Sequence, residues 1–156
     1  MNKPRYAKFI VLIEGIQKSI QKLKLAKAKS LGIKSVHIFW LSHLLYTTRG
    51  LTASELARGS MVDRSLISRE IAALKKDGYV ECEDTGKKRS YNARITLTDK
   101  GRELAERITK EAIYVQSMVD VGITDEELVG FYSTLEKLYT NFSALTSGER
   151  LTKDDQ

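Results

Sequence analysis

The sequence predicts a mainly α fold of the α+β kind, with six helices and one two-stranded hairpin, and three observations carry that prediction. Apolar residues recur at helical spacing near both ends of the 156-residue chain. Between them, capping residues and glycines punctuate two short helical stretches. After Gly78 the apolar period changes from helical to two, and it returns to helical after Thr98. Hydrophobic residues at 42% and charged residues at 29% suit a globular chain of this length with one core.

The first long segment runs from about Arg5 to Lys29. Phe9, Ile13, Ile16, Ile20 and Leu23 form its stripe, with Lys18 and Lys22 off it. Gly32 interrupts, and a second segment dense in large side chains follows with Val36, Phe39, Trp40, Leu44 and Tyr46; it reads as a buried helix. Gly50 is expected to end one element. Thr52 and Glu55 then form a capping box, hydroxyl to one orphan amide and carboxylate to another, opening a short helix from Ser54 to about Arg58. Gly59 is expected to turn the chain, and Asp63 to cap a helix reaching Asp77. Ile67, Ile71 and Leu74 mark its core side, Lys75 and Lys76 suit the negative end of its dipole, and Gly78 supplies the left-handed stop.

Val80 and Cys82 then alternate with Glu81 and Glu83, and Ala93, Ile95 and Leu97 with Asn92, Arg94 and Thr96. The polar stretch 84–90 between them makes a hairpin with a basic tip. Thr98 caps a helix extending to about Asp120. Gly122 breaks it, and Thr124 with Glu127 forms a second capping box. The last helix carries Leu128, Phe131, Leu135, Leu138, Phe142 and Leu145.

Net charge is +6, and it is polarised: residues 1–34 hold nine Lys/Arg against Glu14 alone, whereas residues 101–156 hold six against eleven acids. That layout suits a chain with one region directed toward a polyanion. Cys82 has no partner for an intrachain disulfide, and its strand position turns it inward as a small hydrophobe rather than a redox sensor. His37 and His43 are six apart and so do not share a helix face, which argues against a zinc site. The apolar run Phe9–Ile13 is too short to span a bilayer, and a cytoplasmic location is expected. No phosphate-binding glycine loop, nucleophile elbow or metal-ligand run is present, so neither an enzyme nor a cofactor is expected.

Two short helices joined by a turn and followed by a basic-tipped hairpin constitute a winged helix-turn-helix, and its parts match the demands of DNA reading. The outer side of the second helix carries Arg64, Ser65, Ser68, Arg69 and Ala72. Arginine can bond two guanine acceptors, serine can serve bases or phosphates, and alanine permits close approach to a thymine methyl. Lys87, Lys88 and Arg89 at the wing tip suit the DNA backbone or the neighbouring minor groove. Ser54, at a helix start, and Lys29, Lys34 and Ser35, around the first helix break, are candidate phosphate contacts. Phe39, Trp40, His43 and Tyr46 are candidates for an effector pocket, although such a cluster also serves as core.

In its order of elements the chain resembles the MarR (multiple antibiotic resistance regulator) family of transcription factors. The resemblance rests on Leu51–Ala57, Val62–Arg69, Leu74–Val80, Ile95–Gly101 and Thr124–Leu128, taken in order. It implies a single MarR-like domain over 1–156, with a winged helix at about 36–97 flanked by dimerisation helices at about 5–29 and 98–147. It further implies a homodimer on double-stranded DNA with a palindromic operator, repression, and release by a small aromatic effector. One spacing departs from the family's pattern: the first arginine after Asp84 is Arg89, five residues on. The competing readings are a protein-interaction adaptor on a winged-helix scaffold and a non-specific DNA-binding protein.

Overall fold

The elements follow one another as α1 (Lys3–Leu31), α2 (Ser35–Leu45), α3 (Ala53–Ser60), α4 (Arg64–Lys76), β1 (Val80–Cys82), β2 (Ile95–Leu97), α5 (Asp99–Val119) and α6 (Asp125–Ser147). They are taken from a computed structural model that describes residues 3–60, 64–83 and 93–148. The mainly α architecture with a two-stranded antiparallel sheet is the one the periodicities predict. The chain divides into two compact units, Met1–Ile113 and Tyr114–Gln156.

The core of the first unit is assembled from one side of each short element. α2 supplies Trp40, Leu41 and Leu44, α3 supplies Leu56, and α4 supplies Ile67, Ile71 and Leu74. Val80 and Ile95 come from the strands, and Leu104, Ala105 and Ile108 from α5. Each large aliphatic side chain buried there contributes about 1.5–3 kcal/mol of transfer free energy.

The strands pair Val80 with Leu97, Glu81 with Thr96 and Cys82 with Ile95. Val80 and Ile95 are buried while Glu81 and Glu83 are exposed, as the alternation predicts. Cys82 is half-buried rather than enclosed. A third backbone pairing was not legible in the sequence. Leu51 forms a bridge to Ile95, each amide donating to the other's carbonyl at 3.0 and 2.9 Å, so β2 is held from both sides.

Three boundaries differ from expectation. α2 ends at Leu45, and Tyr46 follows as an exposed C-cap rather than a buried residue. Gly50 therefore does not end a helix. With φ +67° it turns the chain into the Leu51 bridge, and a Cβ there would lie 2.4 Å from the Ile95 carbonyl oxygen. α3 continues through Gly59 to Ser60, whose hydroxyl donates back to the Leu56 carbonyl at 2.6 Å. Serine can close a last helical turn in this way, and glycine inside a helix is only mildly unfavourable.

α1 carries its apolar stripe outward: Ile13, Ile16, Ile20 and Leu23 are all exposed, and Ala28 is buried near its end. In the second unit α6 opens on the predicted capping box. Glu127 N donates to Thr124 Oγ1 at 3.2 Å, and Thr124 N donates to the Glu127 carboxylate at 2.8 Å. Among the described residues none of α6 is buried, and Phe131, Phe142 and Leu145 on its predicted stripe are exposed. No described helix is long and apolar enough to cross a membrane.

Candidate nucleic-acid interface

α3 and α4 owe their placement to ends as much as to faces. Thr52 N donates to Glu55 Oε2 at 2.7 Å and Glu55 N to Thr52 Oγ1 at 3.3 Å, closing the expected capping box. The Thr52 amide, with the Thr52 hydroxyl also donating to Glu55 Oε2 at 2.9 Å, holds the Glu55 carboxyl below its ordinary pKa, and Arg94 and Arg58 add a smaller pull. At the far end of α4, Tyr79 N donates to the Leu74 carbonyl and Lys100 Nζ to the Asp77 carbonyl at 2.7 Å. Lys100 also lies 4.5 Å from the centre of the Tyr79 ring, a cation–π contact that ties α5 to the start of the sheet.

The outer side of α4 presents Ser68, Arg69 and Ala72, all exposed, while Ile67, Ile71 and Leu74 face the core. Arg64 and Ser65 occupy the first turn of α4, but their side chains lie outside the described part. Lys87, Lys88 and Arg89, and the expected cap Asp63, also lie outside the described residues. Lys29 is exposed in the last turn of α1. Ser35 is half-buried as the first residue of α2, and Ser54 half-buried in the first turn of α3.

The aromatic candidates do not converge on one cavity. Trp40 is fully enclosed in the core, and its indole N–H has no hydrogen-bond partner among the described residues. Tyr46 is 72% exposed. Phe39 and His43 do meet, their rings stacked at 5.4 Å. No group of three or more potential metal-binding side chains stands together among the described residues.

Two residues that tie the elements of this region together escaped the sequence reading. Glu70 lies on the inner side of α4 and is 2% exposed. Its carboxylate accepts Lys34 Nζ at 2.6 Å and meets His37 Nε2 at 3.0 Å, with Arg69 Nε at 3.7 Å. The Lys34 hydrogen bond, with help from His37, holds the Glu70 carboxyl below its ordinary pKa against the opposing effect of burial. Burial pushes His37 below the ordinary histidine value despite the pull of Glu70, and toward a carboxylate oxygen its Nε2 can serve only as the donor. The signal was available: Glu70 sits three residues after Ile67 and four before Leu74, a carboxylate on an apolar stripe. The other is Arg94, which joins the wing to the helix-turn-helix. Its guanidinium donates to the Gly50 carbonyl at 3.1 Å and lies 3.9 Å from Glu55.

Residues 38–114 match the family model described as a winged helix DNA-binding domain. No protein among the curated sequences matches the chain. Solved structures do. A regulator from Listeria monocytogenes assigned to the MarR family, solved in complex with 26mer DNA, is similar with a TM-score of 0.75 at 21% identity, over 92% of this chain and 97% of that one. A MarR protein from Peptoclostridium difficile gives a TM-score of 0.75 at 24% identity, over 91% and 92% of the two chains. A MarR/EmrR family transcriptional regulator from Acinetobacter sp. ADP1 gives 0.73 at 22%, over 92% and 99%. Residues 38–114 are thus similar to winged helix DNA-binding domains, and the chain has the fold of structures assigned to the MarR family of transcriptional regulators.

Proposed function

We propose that this chain is a sequence-specific DNA-binding transcriptional regulator of the MarR type, a cytoplasmic homodimer that represses from a pseudo-palindromic operator. The observation that carries the reading is the sidedness of α4. Ser68, Arg69 and Ala72 stand exposed on one side while three aliphatic residues seat the other side in the core. In this reading Arg64, Ser65, Ser68, Arg69 and Ala72 enter the major groove, and Lys87, Lys88 and Arg89 meet the backbone or minor groove. Lys29, Lys34, Ser35 and Ser54 contact phosphates. The similar Listeria monocytogenes protein was solved with DNA, which supports the same use of this fold.

Dimerisation is proposed through α1, α5 and α6, whose exposed apolar residues include Ile16 and Leu23, Met118 and Val119, and Phe131 and Phe142. Two such subunits would present recognition helices to half-sites about one helical turn, roughly 34–36 Å, apart. For a small aromatic effector, the stacked Phe39–His43 pair is the proposed contact, because Trp40 is enclosed. Phenols and aromatic carboxylates that release the bound duplex would support it.

Selection from a random duplex library at about 0.15 M salt tests the main reading. An enriched inverted repeat with one-turn spacing is expected; binding without enrichment would favour a non-specific DNA-binding protein, and no retained DNA a protein-interaction adaptor. Arg69→Ala should then cost about 1–3 kcal/mol at particular base pairs. Equal weakening on every duplex would reduce Arg69 to a phosphate contact.

A further inference from the structure

The inner side of α4 contains one residue of the wrong chemistry for a core. Glu70 is buried among Ile67, Ile71 and Leu74. Burying a lone carboxylate is strongly unfavourable, and this one is compensated by two groups from a single neighbouring segment. Lys34 immediately precedes α2, and His37 lies in its first turn. One carboxylate is thus tied at both oxygens, at 2.6 and 3.0 Å, to points three residues apart on another element.

Such a tie does something the apolar contacts cannot. Burial of aliphatic surface is non-directional, so Ile67, Ile71 and Leu74 tolerate a helix rolled slightly about its axis. Hydrogen bonds to a charged group are short and angle-dependent. The roll of α4 decides where the residues on its opposite side point. Arg69, next in the chain and 3.7 Å from the same carboxylate, would feel any change first.

We propose that Glu70 is a positioning residue for DNA reading: its buried carboxylate, held by Lys34 and His37, sets the roll of α4 and hence the direction in which Ser68, Arg69 and Ala72 meet the bases. The proposal rests on the DNA-reading function above. Its rival is a purely structural ion pair. The two separate on substitution, because a buried ion pair replaced by a well-packed apolar side chain often leaves stability unchanged.

The experiment compares full-length wild type, Glu70→Met and Glu70→Gln on two probes: the duplex selected by the wild type, and a scrambled duplex of equal length. The readout is the ratio of the two affinities, in which any uniform loss of phosphate contact cancels. Glu70→Met is expected to melt near the wild type and bind the scrambled duplex as well, yet lose about tenfold in the ratio. Glu70→Gln, whose carbonyl can still accept from Lys34 and whose amide can donate to the other tautomer of His37, should stay within about threefold of the wild type. A folded Glu70→Met with the wild-type ratio overturns the proposal, as does equal loss on both probes. If Glu70→Met does not fold, Glu70→Leu combined with Lys34→Met takes its place, since removing both partners leaves no buried charge unpaired and any lost phosphate contact of Lys34 cancels in the ratio. A lowered ratio then supports the tie, and an unchanged one overturns it. A wild type without any preferred duplex removes the function itself, and with it the role of Glu70, before any variant is made.

Discussion

At Gly101 the fold leaves no room for a single methyl group. A Cβ there would lie 1.8 Å from the Tyr79 carbonyl oxygen, where α5 begins against the end of the α4–β1 turn. Thr98 closes the same junction, its hydroxyl donating to the Gly78 carbonyl at 2.6 Å and accepting from Gly101 N at 3.0 Å. Gly101→Ala should therefore destabilise the protein by about 3 kcal/mol, because the obstacle is backbone rather than a movable side chain. An unchanged denaturation midpoint would contradict the packing described. His37 and Glu70 predict a pH dependence of definite sign. Both pKa values are lower in the folded chain than their ordinary values of 6.5 and 4.5, so the unfolded chain binds more protons. Their contribution is complete above about pH 6.5. It is lost on acidification, first as pH falls through the folded pKa of His37 and then through that of Glu70. Melting curves should be flat above neutrality and decline below it, and His37→Gln should remove the earlier part of the decline. Residues such as Glu70 are legible in a sequence as an anomaly of pattern, but their partners are not. Lys34 and His37 lie more than thirty positions away, and the crowding of Gly101 by Tyr79 is equally non-local.

Helices and strands were more legible than single residues because their signals are local. Both capping boxes, at Thr52 and at Thr124, form between residues three apart. Thr52→Ala should cost about 1 kcal/mol, read as a shift in denaturation midpoint. A neutral result would mean that tertiary packing alone places α3. The alternation in 80–83 and 93–97 foretold Val80 and Ile95 as buried, though Cys82, Ala93 and Leu97 on the same faces are only half-buried, and the stripe on α4 foretold Ile67, Ile71 and Leu74. The expectation failed at glycines. Gly59 lies inside α3, and Gly50, well past the end of α2 at Leu45, turns the chain into the Leu51 bridge instead of closing that helix. Glycine marks conformational freedom, and only the neighbours decide how it is used. The Leu51–Ile95 pairing could not be foreseen, since a single bridged residue has no period.

On the scale of the whole molecule, the stripe on α1 is the clearest unmet demand. Ile16 and Ile20 are 51% and 45% exposed on a helix of 29 residues, and α6 has no buried residue among those described. The dimerisation proposed above would cover it. Sedimentation should give twice the mass of the chain, and Ile16→Glu with Ile20→Glu should shift the population to monomer. A dimer that survives both changes would place its interface away from α1. The surface proposed to read DNA was legible in part: the exposure of Ser68, Arg69 and Ala72 on α4 followed from the apolar stripe opposite, whereas the buried tie behind it could not be foreseen.

β2 gives the wing a keystone rather than a hinge. Ile95 is bonded to Leu51 on one side and paired with Cys82 on the other, and Arg94 reaches the Gly50 carbonyl. Reading frame along the hairpin is thus locked where it enters the body of the fold. Residues added or removed between Glu83 and Ala93 should therefore leave α3 and α4 in place, and a chain lengthened there is expected to melt with the wild type.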